Sequence, residues 1–102
     1  MASNKPSHYE RLRTTFPKVI EQLETMGKAL HEAGPLDEKT LLLTQMCAAA
    51  AMHSEGSVRS HARRALAAGV TAEQLRHALI AQLNTIGFPT VAAALAWIEE
   101  DL

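Results

Sequence analysis

Apolar positions recur every three to four residues along nearly the whole chain, and nowhere do they alternate over a run long enough for a strand. From Lys18 to Glu32, Val19, Ile20, Leu23, Met26, Gly27 and Leu30 follow the helical period with glutamates and lysines between them, and Gly34-Pro35 ends the run. Ahead of it, His8 to Phe16 reads as a short helix stopped by Pro17, which disfavours helical backbone in the preceding residue and itself suits a first turn. Asp37 is placed to cap a third helix over Glu38 to Met52, its carboxylate accepting an orphan amide. A fourth runs from a cap at Ser54 or Ser57 to about Ala68, with Val58, Ala62, Ala65 and Leu66 inward and Gly69 as a left-handed terminator. Thr71 and Gln74 form a capping box that opens a fifth, continuing to Ile86 before Gly87-Phe88-Pro89. A last helix begins at Thr90 with Val91, Ala94, Leu95, Ile98 and Leu102 inward. The pattern predicts an all-α fold of five to six helices.

The third helix stands apart. Between Leu41 and Met52 only Thr44 and Gln45 interrupt an apolar surface, and a helix apolar on every side must be covered on every side. A homo-oligomer that buries the remaining face is therefore expected. The length of 102 residues suits one core, so the chain is taken as a single domain over 1–102, with the polar residues 1–7 disordered.

Composition adds mostly exclusions. A net charge of −1 gives no electrostatic footprint for nucleic acid or an anionic membrane, and the arginines at 59–64 are too local to change that. No apolar run spans a bilayer and the N-terminal residues carry no signal-peptide core, so a cytoplasmic location is expected. One cysteine, Cys47, rules out an internal disulfide and multi-cysteine metal sites; in the middle of the apolar helix it reads as a small buried hydrophobe.

One stretch looks like a site. Ser54, Ser57 and His61 fall at spacings of three and four on the fourth helix, and His61 shares the period of the inward stripe, with Arg59, Arg63 and Arg64 on the flanks. An imidazole near neutrality can serve as general acid or base, and an arginine fork can hold a carboxylate. The alternative is a buried ring satisfied by Ser57 or a backbone carbonyl. Ser57 and His61 as nucleophile and base lack an orienting carboxylate. His53, Glu55 and His61 lack the one-turn spacing of a helical zinc pair, so no metal site is assigned. His8, His31 and His77 read as solvated.

From about Gly34 to Trp97 the chain resembles the carboxymuconolactone decarboxylase family, which includes alkylhydroperoxidase-like proteins. The resemblance rests on Gly34-Pro-Leu-Asp-Glu-Lys-Thr40, on Val58-Arg-Ser-His-Ala-Arg-Arg-Ala-Leu-Ala-Ala-Gly-Val-Thr71 followed by Glu73, and on Gly87-Phe-Pro89. The peroxidase-like branch carries Cys-x-x-Cys-x-x-x-His with an upstream glutamate. On this chain those cysteines match Ser54 and Ser57, the histidine matches His61 and the glutamate matches Leu42. Thiol chemistry needs an attacking thiolate and a resolving thiol, which serines do not supply. The decarboxylase branch is the closer match. It implies cofactor-free loss of CO₂ from a lactone acid in a small-molecule pocket, with His61 delivering the proton and Arg59 gripping the leaving carboxylate or the enolate. Ser54, Ser57 and Arg63 would contact the substrate. The family also implies a trimer or hexamer with sites near subunit contacts. A non-catalytic small-acid-binding or assembly protein of the same fold is the alternative.

Overall fold

The computed structural model describes residues 7–102, and within them every regular element is helical. Seven helical segments follow in order: α1 (His8–Thr15), α2 (Pro17–Glu32), α3 (Glu38–Ala51), α4 (Glu55–Ala67), α5 (Ala72–Ile80), α6 (Leu83–Ile86) and α7 (Phe88–Glu99). Residues 1–6 of the expected disordered lead-in lie outside the described residues. Ser7 is ordered, because it caps α1 in a reciprocal box with Glu10.

The chain divides into two compact units, residues 1–35 and 36–102. In the first, Pro17 opens α2 at a position where its missing N–H costs nothing. The Glu24 carboxylate on α2 accepts from the Tyr9 hydroxyl at 3.0 Å and from Arg13 at 2.5 Å, tying α1 to α2. Only Ile20 on α2 is buried; Val19, Leu23, Met26 and Leu30 are exposed, Val19 at 64%.

The second unit holds the core. Leu42, Met46, Val58, Leu75, Leu79, Val91 and Ile98 are fully buried, each contributing about 1.5–3 kcal/mol of transfer free energy. Between them Ala50, Ala62, Ala65 and Ala94 are sealed off from solvent, and their small side chains let the helix backbones come close. The apolar α3 is covered in part by this unit itself, which buries Leu42, Met46, Ala49 and Ala50. It packs against α4, α5 and α7, and of the apolar stretch from Leu41 to Met52, Thr44, Ala48, Ala51 and Met52 are exposed, Met52 at 76%. Uncovered apolar surface is found on α2 as well as on α3.

Caps set the element boundaries. Asp37 accepts the Thr40 amide at 2.8 Å, and Thr71 and Gln74 close their box with bonds of 3.1 and 2.9 Å. Gly69, at φ 102°, ends α4 in a Schellman turn, with Val70 N–H donating to Ala65 and Gly69 N–H to Leu66. The α3–α4 turn has the same geometry without a glycine. Ser54 N–H donates to Ala49 and His53 N–H to Ala50, with His53 in the left-handed region at φ 57°.

Three boundaries differ from the sequence reading. The fifth helix does not run through to Ile86 but breaks at Ala81–Gln82, leaving α6 as a single turn with Leu83 exposed. The last helix starts at Phe88 rather than Thr90, because Pro89 fits its first turn. Leu102, expected inward, lies past the end of α7 and is 44% exposed.

Candidate functional site

The stripe of α4 that enters the core is Val58, Ala62 and Ala65. At 100° per residue His61 falls about 60° to one side of that stripe, which is why it is half-buried at the rim rather than inside. Its Nδ1 lies 2.8 Å from the Ser57 carbonyl oxygen and 3.2 Å from Ser57 Oγ. A carbonyl only accepts, so in the neutral ring Nδ1 carries the proton and Nε2 is left as the basic nitrogen. Ser57 thus orients the ring through its main chain, one turn back on the same helix.

Ser54 occupies the cap position of α4, yet neither it nor Ser57 caps the helix by its side chain. Ser57 is already in the first turn. Both hydroxyls are half-buried and, two turns and one turn before His61, share its face.

The arginines divide differently from the sequence reading. Arg59 and Arg63 are each two residues from His61, which puts their side chains about 160° around the helix axis from it. They cannot meet one small ligand together with that ring. Arg59 is instead committed to acids: its guanidinium pairs with Glu55 at 2.9 Å, closely with Glu100, and with Asp101 at 3.6 Å. Those carboxylates hold its pKa above the usual arginine value, the Glu100 hydrogen bond being the main cause. Arg63 is exposed and reaches Asp101 at 3.5 Å. With Arg76 on α5 gripping Glu99 at 2.6 and 3.1 Å, the last residue of α7 and the two acids just past it, Glu100 and Asp101, are each held by an arginine. These pairs fasten α7 to α4 and α5. The cation on the face of His61 is Arg64, exposed and one turn further on. The i,i+3 spacing was the signal that distinguishes it from its neighbours.

Leu42, at the position matching the relay glutamate, is fully buried in the apolar core. Cys47 is half-buried, its thiol 3.5 Å from the Ala78 carbonyl, and burial pushes its pKa up, so it stays protonated near neutrality. Of the histidines read as solvated, His31 is half-buried and has an interaction partner, while His8 and His77 are exposed. Among the described residues no group of three His, Cys, Asp or Glu is arranged to hold a metal ion, and no helix is long and apolar enough to cross a membrane.

Concave surface is found elsewhere. Two adjoining depressions, of about 410 and 390 Å³, lie between α3 and α5, and both are lined by Leu43, His77 and Ala78. His61 lines neither. The small-molecule pocket expected around it is not formed by these depressions.

A family model described as carboxymuconolactone decarboxylase family matches residues 17–100 of the chain. No curated protein and no solved structure matches it.

Proposed function

The chain belongs to the carboxymuconolactone decarboxylase family, and on that premise we propose that the His61 face of α4 is a small-molecule acid site with cofactor-free decarboxylase chemistry. The observation that supports this most directly is the lock on the ring: Nδ1 held by the Ser57 carbonyl at 2.8 Å, which leaves Nε2 as the basic nitrogen. In the reaction the C–CO₂ bond of a lactone acid breaks and its electron pair passes into a conjugated enolate. The Nε2 proton of the imidazolium form then quenches the enolate carbon, and a proton from water restores the ring. Arg64, one turn along, replaces Arg59 and Arg63 as the cation that steadies the carboxylate and the developing negative charge. Ser54 and Ser57 line the approach and offer hydroxyl donors.

The site is open on the single chain. The proposal therefore includes a homo-oligomer, a trimer or hexamer, whose neighbouring copies close the site and cover the apolar side chains of α2. A hydroperoxidase is disfavoured because Ser54 and Ser57 stand where two thiols are needed, and Cys47 is a protonated thiol with no partner cysteine. A non-catalytic small-acid-binding or assembly protein of the same fold is the second reading.

Turnover of γ-lactone acids decides between them. His61→Gln is expected to lower kcat/KM by about 10²–10⁴, and Arg64→Gln by a lesser factor, while Arg59→Gln leaves turnover unchanged. Full activity in His61→Gln removes the proposal. Loss of activity in Arg59→Gln with Arg64→Gln intact overturns the assignment of the cation.

A further inference from the structure

On α2 the apolar side chains left in solvent form one line. Phe16 at the cap, then Val19, Leu23, Met26 and Leu30, follow at steps of three, four, three and four, and their exposures run from 47% at Leu23 to 64% at Val19. This is the spacing of a seam between two helices, kept over two heptads. The first helix does not cover the line, because α1 is tied to α2 through Glu24, about 130° around the axis from it.

The charges of α2 avoid the line. Lys18, Glu21, Glu24, Lys28, His31 and Glu32 all lie about 110° or more from its centre, and its flanks are Ile20, Gln22, Gly27 and Ala29. A face without charge cannot select a partner by sign, and it repels no copy of itself. Gly27 is a second, independent sign. Inside a helix glycine costs stability relative to alanine, yet a β-carbon there would meet nothing within 4 Å. No described neighbour requires the glycine, whereas a second backbone drawn close beside the line does.

We infer that α2 packs antiparallel against α2 of a second copy, about a two-fold axis that sets Val19 opposite the partner's Leu30 and Leu23 opposite the partner's Met26. The occupant follows from the match: a second copy brings a line of the same length, the same spacing and the same lack of charge. The direction follows from the charges. Parallel helices set like dipole ends side by side, with each Glu21 and each Lys28 level with its own counterpart; antiparallel ones join opposite ends and set Glu21 level with the partner's Lys28. Ten half-exposed side chains take on the order of 500 Å² of apolar surface out of water, which makes the contact by itself a weak, dissociating one. Two-fold pairing makes the number of copies even, so of the assemblies proposed above it fits the hexamer and not the trimer. The inference rests on that self-association and not on the chemistry at His61.

Disulfide trapping reads the pair directly. Two full-length chains are made in a Cys47→Ser background, one with Val19→Cys and one, lengthened by a tag, with Leu30→Cys; both exchanged positions on α2 are exposed, so the fold is kept. Mixed and oxidised, they are expected to give the mixed dimer at least about tenfold over either like pair. In the antiparallel pair like positions stand roughly 16 Å apart along the axis, and a disulfide needs α-carbons within about 7 Å. Like pairs in place of the mixed one overturn the direction, and folded chains that form no disulfide overturn the pairing. Sedimentation of the unsubstituted protein from about 10 µM to about 1 mM decides without any variant. Mass that reaches an even number of copies supports the pair; a single chain throughout, or a trimer, overturns it. A trimer that turns over lactone acids would overturn the pair and leave the His61 reading standing, and trapped pairs without turnover would do the reverse.

Discussion

The α3–α4 turn stores strain that glycine would release. His53 sits at φ 57° because the Schellman closure of α3 demands a left-handed residue there, and this conformation costs a side chain about 1–2 kcal/mol. Glycine adopts it freely but loses more freedom on folding, which takes back about 0.4–1 kcal/mol. His53→Gly should therefore stabilise the protein by about 0.5–1 kcal/mol, raising the thermal midpoint by about 2–6 °C for a chain of this size. Gly69→Ala is the opposing experiment at the same motif, φ 102°, and should destabilise by about 1 kcal/mol. The Lys39 ammonium 3.2 Å from the added carbon is the end of a flexible side chain and swings aside, so backbone strain dominates that loss. Both variants are read by urea unfolding followed by circular dichroism at 222 nm. A His53→Gly midpoint equal to or below that of the parent, with Gly69→Ala harmless, would refute the assignment of strain to these two turns.

Two further outcomes follow from the caps and the exposed stripe. The Asp37 pKa is lowered by its bonds to Thr40, so its contribution to stability is complete above the unfolded carboxyl value near 3.9 and fades as pH falls through the depressed folded value. The stability gap between the parent and Asp37→Asn should accordingly close on acidification; a gap that widens in acid contradicts it. Leu23→Glu places a charge amid the exposed apolar residues of α2 and should shift sedimentation toward the single chain without loss of helix. An unchanged sedimentation coefficient would take α2 out of any contact between copies.

Most of the helical plan was legible in the sequence because capping is local chemistry. Asp37, Gly69 and the Thr71–Gln74 box each declare a helix end through bonds made within a few residues, and the structure has all three. The break at Ala81–Gln82 was not legible, since the apolar period of Leu75, Leu79, Leu83 and Ile86 continues across it. How far the chain itself covers α3 was not legible for a related reason. An all-round apolar helix says that it must be covered, not by what, and α4, α5 and α7 cover one side of it while Ala48, Ala51 and Met52 stay exposed. At the site, the pairing of Ser57 with His61 could be read from their spacing. The commitment of Arg59 could not, because Glu100 and Asp101 lie some forty positions away. The division of arginines by face, by contrast, needed only the helix angle between residues 59, 61 and 64.

Leu42 limits which chemistry this core can accept. Its position is dry and closed, so a carboxylate arriving there alone would have neither water nor a cation to meet it and would harm the fold before helping any reaction. A thiol relay of the pattern described by the resemblance would need that exchange as well as cysteines at 54 and 57. The closed core at that position thus weighs against a lone acid there, whatever stands at 54 and 57.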